Sequence, residues 1–152
     1  MDLFTPHLDI LPSQQRKLYP KLRVVRDMGF VLYGGTAIAL RLGHRRSLDY
    51  DFFSSRPIDE RTLRKSFPFL ENATSIQVEA QTLSVLFPEN SPFSGVKVSF
   101  FGHIAFGRVD TPELTEDQCM AVASPRDLLA LKTAVVQQRV EQRDYIDIAA
   151  LL

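Results

Sequence analysis

With 152 residues, 45% of them hydrophobic, the chain is long enough for one packed core and too short for two ordinary domains. Eighteen basic residues balance eighteen acidic ones, which excludes a global positive field and leaves only local patches to bind polyanions. The single cysteine, Cys119, excludes an intrachain disulfide and a cysteine-based zinc site, and no apolar run approaches the ~20 residues that a membrane-spanning helix needs.

The N-terminal MDLFTPHLDI lacks the basic start and apolar centre of a secretory signal, so a cytoplasmic location is predicted. Leu11, Leu18, Leu22 and Val25 fall on one helical stripe between Pro12-Ser13 and Gly29, which predicts a packing helix that Pro20 kinks or restarts. Phe30 to Tyr33 reads as a strand and Gly34-Gly35 as a turn. Thr36 to Leu42 then reads as a helix, apolar nearly all round and so buried, with Gly43 as its stop. The basic loop His44-Arg45-Arg46 leads to a second strand that carries Asp49 and Asp51. Pro57 is placed to start a helix that continues from Asp59 to Phe67 with a charged, solvated face.

From Thr74 the period changes to two: Ile76, Val78 and Ala80 alternate with polar residues, Leu83 to Phe87 forms a second run, and a hairpin or meander is predicted. Val96, Val98 and Phe100 give a third strand, and Cys119 to Val122 a short edge strand, with Cys119 as a small buried hydrophobe. The C-terminal helices begin near residue 124, where Ser124-Pro125 caps a helix through Leu128, Leu131 and Val135; Tyr145 to Leu152 makes the last one. Its apolar end, IDIAALL, carries no stop signal, so either the native chain continues or this end docks on something.

Asp49 and Asp51 lie two residues apart in a strand, where alternation turns both side chains to the same side. Two carboxylates on one face are the hard oxygen donors that Mg2+ or Mn2+ takes. Gly34 and Gly35 let backbone approach a ligand with no Cβ in the way, and the N–H groups that open the next helix suit phosphate. Metal and phosphate on adjacent segments point to a nucleotide. Each residue also has a plainer role. A tight turn alone would require both glycines, Ser47 either orients the turn or touches phosphate, and His44 is read as a structural hydrogen-bonding residue. Phe52, Phe53, Phe67, Phe69, Phe100 and Phe101 are most simply core, with base stacking open to Phe52 or Phe101.

The run GGTAIAL, the basic segment and then SLDYDFF resemble the core of the nucleotidyltransferase fold as it occurs in the AbiEii/AbiGii toxin family. A second stretch, Ser124 to Lys132 followed by Arg139 and by Arg143-Asp144-Tyr145-Ile146-Asp147, is similar to the later helical motifs of that family, with their lysine and RDxxD signature. The resemblance implies an α/β fold, a small mixed β-sheet flanked by α-helices, with the cleft between the Asp49/Asp51 strand and the C-terminal helices. It further implies Mg2+-dependent (or Mn2+-dependent) movement of a nucleotide from an NTP to an RNA or protein acceptor, and a role as the toxin of a toxin–antitoxin or phage-defence pair with a cognate antitoxin.

By the same resemblance Asp49 and Asp51 are the catalytic and metal-binding residues, and Gly34, Gly35, Thr36, Arg46, Ser47 and Lys132 meet the nucleotide, with Arg46 as the leading phosphate cation. For Lys132 the alternative is a surface lysine in an ordinary ion pair. Asp144 and Asp147, at i and i+3, either cap and pair with Arg139 or Arg143 or enter the site directly.

The third acid of the fold is expected within VKVSFF, where Ser99 stands. A serine is neither an anion nor a useful base near neutral pH. Three routes follow: Glu79 on the adjacent β-run substitutes, the acceptor loses its proton without a protein base, or the site binds nucleotide without turnover. The last route defines the rival function, a non-catalytic nucleotide- or partner-binding protein, and a partner-masking module is a more remote one.

Overall fold

The computed structural model describes residues 2–105, 107–138 and 141–152. Strand β1 (Leu3–Phe4) precedes helices α1 (Ser13–Leu18) and α2 (Arg23–Asp27), strand β2 (Val31–Tyr33), helix α3 (Gly34–Leu42), strand β3 (Tyr50–Phe53) and helix α4 (Glu60–Ser66). Strands β4 (Thr74–Glu79), β5 (Thr82–Leu86), β6 (Lys97–Phe101), β7 (Glu113–Thr115) and β8 (Ala121–Val122) follow, then helices α5 (Pro125–Val136) and α6 (Gln142–Leu151). The strands form one eight-stranded sheet in the order β1-β7-β8-β2-β3-β6-β5-β4. It is mixed: β3 runs antiparallel to β2 and parallel to β6, and β5 and β4 continue antiparallel.

Register decides what each face carries, because residues paired across neighbouring strands share a face. Asp51 pairs with Tyr33 and Ser99, and Phe53 with Val31 and Phe101, so these side chains share one face. Leu32, Tyr50, Phe52, Val98 and Phe100 occupy the other, all essentially buried. Phe100 stacks on Phe52 and on Phe67 with ring centroids 5.8 and 5.6 Å apart, so three of the six phenylalanines are core as expected.

The predicted helix from Leu11 to Val25 is broken into α1, a 3-10 turn at Tyr19–Leu22 and α2. Pro20 has no N–H for an α-helical bond, and the chain tightens around it while Leu18, Leu22 and Val25 stay buried. Pro57 does not start a helix. Asp59 does, as an N-cap whose carboxylate accepts the Thr62 N–H at 2.8 Å. The Cys119 to Val122 strand lies inside the sheet rather than at its edge, because β7 and β1 add outside it, and strands of two or three residues are too short to leave a period in the sequence. Cys119 itself is buried.

Helix α5 begins where Ser124-Pro125 places it, with the Ser124 Oγ accepting the Asp127 N–H at 3.1 Å and donating to Asp127 Oδ2 at 2.7 Å. The last helix starts at Gln142, three residues before Tyr145. Among the described residues no helix is long and apolar enough to cross a membrane.

Candidate functional site

Strand β2 ends at Tyr33 and the chain enters α3 at Gly34, whose φ of +82° belongs to the left-handed region that glycine tolerates. A Cβ on Gly34 would lie 2.7 Å from Asp51 Oδ2, and one on Gly35 would collide with Arg45 Nη2. Gly34 is thus required by the turn, and a side chain at either glycine would displace the Asp51 carboxylate or the Arg45 guanidinium packed over it.

The segment before β3 is pinned from several sides. The Thr36 and Ser47 hydroxyls are 2.7 Å apart, Thr36 also donates to the Asp49 carbonyl, and Gln15 Nε2 donates to the Leu48 carbonyl at 2.9 Å. These bonds fix Asp49 at the mouth of the strand and Asp51 one pleat inside it. Thr36 and Ser47 therefore serve the turn first, since their hydroxyls are occupied by each other and by backbone.

A cleft of about 400 Å³ opens here, within the size range of small-molecule sites. Its floor is Gly34, Gly35, Thr36, Ser47, Asp49 and Asp51, its aromatic wall Phe53 and Phe101 with centroids 5.1 Å apart, and its far side α5 and α6 with Leu131, Lys132, Val135 and Arg143. Neither the Asp49 nor the Asp51 carboxylate has a hydrogen bond or ion pair among the described residues. Burial, and then the neighbouring Asp49 charge, push the Asp51 carboxyl up to about 6 against the fields of Lys97, Lys132 and Arg143. Two mutually repelling carboxylates with no protein partner among the described residues fit a hard divalent cation, which would supply the missing counter-charge. Among the described residues no third carboxylate, His or Cys joins them in a cluster.

The opposite wall is electrostatically closed. Asp144 and Asp147 are both fully buried. Lys132 Nζ lies 2.9 Å from Asp144 Oδ1 and 3.1 Å from Asp147 Oδ2. Arg45 donates to Asp147 through Nε at 2.7 Å and Nη2 at 2.8 Å, and His44 Nε2 lies 2.7 Å from the same carboxylate. Burial alone would raise the Asp147 carboxyl, but the hydrogen bonds from Arg45, His44 and Lys132 outweigh it and bring it down to about 2.

Residues 22–152 match the family model described as nucleotidyl transferase AbiEii toxin, type IV TA system. The chain belongs to that family. It is also similar to an uncharacterised protein of Aquifex aeolicus (strain VF5), 29% identical over 147 residues that make up 93% of this chain and 67% of the relative. The mixed sheet flanked by helices is the nucleotidyltransferase-type fold, and the AbiEii match spans both the glycine–aspartate segment and the C-terminal helices that face it.

Of the residues singled out from the sequence, Gly34, Gly35, Thr36, Ser47, Asp49, Asp51 and Lys132 line the one cleft. Arg46 does not; it is exposed, and Arg45 is the arginine of that loop which turns inward. Asp144 and Asp147 pair with Lys132, Arg45 and His44 rather than with Arg143, which binds Glu141 at 2.7 Å; Arg139 lies outside the described residues. His44 has the structural role expected of it. Lys132 is neither a surface lysine nor free to serve phosphate alone, being 7% exposed and shared between two buried carboxylates.

Ser99 stands in register with Asp51, the place expected of a third acid. It is 2% exposed, and its hydroxyl lies 2.7 Å from that of Ser84. Glu79 is no substitute: it sits exposed on β4, the edge strand, with β5 and β6 between it and Asp51. Within the basic loop no local signal separates Arg45 from Arg46, the expected first choice, and Phe53, expected as core, lines the cleft, as counting two residues on from Asp51 indicates.

Proposed function

We propose that this AbiEii-family chain moves a nucleotide from an NTP to a hydroxyl of an RNA or protein acceptor, with Mg2+ or Mn2+ held by Asp49 and Asp51, as the toxin opposed by a cognate antitoxin. What supports it is the coincidence, in one cleft, of two partnerless carboxylates with a glycine turn that opens a helix. When bound, the cation would neutralise the triphosphate and the departing pyrophosphate. The chain's own residues do the rest. The first N–H groups of α3, with the Arg45 guanidinium packed beside them at Gly35, offer donors to phosphate oxygens. Lys132 and Arg45 line the helical side with charges already shared with Asp144 and Asp147, and Phe53 with Phe101 forms an apolar wall that suits a base or ribose.

A second reading, nucleotide binding without turnover, is favoured by Ser99, whose hydroxyl is already engaged by Ser84 and cannot act as base. One experiment separates the two. Melting curves of the wild type are recorded with Mg2+ or Mn2+ and each NTP, and labelled NTP is followed into the RNA and protein of a lysate. Saturating an NTP–metal pair at about a hundred times its Kd raises stability by about 2.7 kcal/mol. The expected result is such a shift in the wild type, its loss in the Asp49→Ala/Asp51→Ala variant, and label transfer that depends on both aspartates. No shift with any pair, or an equal shift in the variant, overturns the site. A shift without transfer to any acceptor establishes the binding protein instead.

A further inference from the structure

The cleft's cations are unequally committed. Lys132 serves Asp144 and Asp147, Arg45 grips Asp147 with two donors, and Arg143 is held by Glu141. Strand β6 carries a further cation just outside the lining of the cleft, Lys97, which has no ion pair or side-chain hydrogen bond among the described residues and is only half-buried. Lys97 lies two residues before Ser99, so alternation puts it on the face that carries Ser99 and, by register, Asp51. Continuing the parallel β3–β6 register one residue beyond the Tyr50–Val98 pair sets Lys97 level with Asp49. Its field reaches the Asp51 carboxyl, among the cations, ahead of those of Lys132 and Arg143.

From this placement we infer that Lys97, at the sheet-side edge of the cleft, is a phosphate-binding residue that reaches an anionic group extending beyond Asp49 and Asp51, whose other side faces α5 and α6. The inference rests on the nucleotide-transfer reading above. An ammonium with no protein partner beside two partnerless carboxylates is a charge arrangement that a phosphate ligand with its divalent cation completes: the cation takes the carboxylates, and the phosphate oxygens take the ammonium. The same strand therefore replaces an expected acid with a serine sealed by Ser84 and supplies a free cation one pleat away.

Phosphate can come here from the triphosphate of a nucleotide or from the backbone of a nucleic-acid acceptor. The test titrates two probes, inorganic tripolyphosphate with Mg2+ and a short single-stranded RNA, into wild type, Lys97→Gln and Lys97→Arg. A charge-assisted hydrogen bond lost from a ligand corresponds to about a tenfold fall in affinity or more. Lys97→Gln is expected to lose about tenfold for at least one probe, Lys97→Arg to retain most of the wild-type affinity, and both to melt as the wild type does, because the lysine has no partner in the fold to lose. Loss for tripolyphosphate assigns Lys97 to the nucleotide, and loss for RNA alone assigns it to the acceptor. Unchanged affinity of Lys97→Gln for both probes, or equal loss in Lys97→Arg, overturns the inference while leaving nucleotide transfer standing. A wild type that binds neither probe overturns the inference and the reading beneath it together.

Discussion

Two pairs of aspartates belong to this cleft region, and the fold treats them in opposite ways. Asp144 and Asp147, on α6, are sealed from solvent and answered by Lys132, Arg45 and His44 within 3.1 Å. Asp49 and Asp51, on the β3 side, have no such partner among the described residues, and Asp51 is pushed up to about 6 by burial and by Asp49. Burying a charge costs several kcal/mol unless partners compensate it. The helical pair is compensated within the chain and so belongs to the architecture. The strand pair has no such compensation among the described residues, and the proposed divalent cation would supply it. Asp49 and Asp51 line the cleft while Asp144 and Asp147 are buried behind its helical wall, and the inventory of partners separates the two pairs in the same sense.

The sharpest way to break this contrast is to delete one acid from each pair. Asp147→Ala leaves Arg45, Lys132 and His44 crowded without their shared counter-charge and is expected to cost about 3–5 kcal/mol, the usual result of orphaning a buried partner. Asp51→Ala removes a carboxylate that nothing answers and that repels Asp49, so stability in metal-free buffer is expected to stay level or rise. Denaturant titrations of both variants decide the matter, and equal losses would erase the distinction.

A smaller effect appears in acid. The Asp147 carboxyl lies at about 2 in the fold against the ordinary 3.8 of an unfolded chain, because hydrogen bonds from Arg45, His44 and Lys132 overcome its burial. A depressed acid contributes stability that is fully present above its unfolded value and is lost as pH falls through the folded one. The window here runs from about pH 5 to about pH 2, and the contribution is about 2 kcal/mol. Urea midpoints of the wild type should fall through that window more steeply than those of Asp147→Asn, which has no such carboxylate to protonate. Parallel curves would show that the network does not carry this linkage.

What was legible in the sequence follows the same line between local and distant causes. The strand–glycine–helix–aspartate segment could be read because each of its signals is local: Gly34 for the positive φ, Gly43 for the helix stop, a two-residue spacing for the carboxylates. The Ser124 cap was local too. Pro20 was foreseen as a break, whereas Pro57 misled because Asp59, two residues later, made the stronger cap. Strands β1 and β7 were invisible, since two or three residues carry no period and their pairing joins Leu3 to Leu114 across most of the chain. The partners of Asp147 were likewise hidden. Besides Lys132 on the preceding helix, they come from a loop about a hundred residues away, and nothing in HRR says which arginine turns inward.

Ser99→Asp tests whether the strand side lacks only an acid. It would set a third carboxylate level with Asp51, in the place now held by a hydroxyl bound to Ser84. About tenfold tighter Mn2+ binding is expected, equivalent to about 1.4 kcal/mol, together with faster label transfer if the missing base limits the reaction. Titration of Mn2+ by its paramagnetic signal gives the affinity independently of activity. Unchanged affinity would mean that the buried serine pair, rather than the absent charge, sets the geometry of the strand side.

The smallest expected effect carries its own information because it is nearly zero. Arg46 precedes Ser47 in the motif, and by resemblance alone it was the leading phosphate cation. In the fold it is exposed, its carbonyl accepts from Arg45 Nη1 at 2.9 Å, and it is not among the residues lining the cleft. Arg46→Ala should therefore change stability by no more than about 0.5 kcal/mol, the range of ordinary surface substitutions, and leave the affinity for an NTP with Mg2+ unchanged. Arg45→Ala should lower both, because it removes two donors from buried Asp147 and a cation from the cleft wall at once. If Arg46→Ala instead weakens nucleotide binding while melting as the wild type does, that loop must turn its other arginine inward when a nucleotide arrives. The Arg45–Asp147 pair would then be a purely structural clasp, which is the role the fold already gives to the rest of that wall.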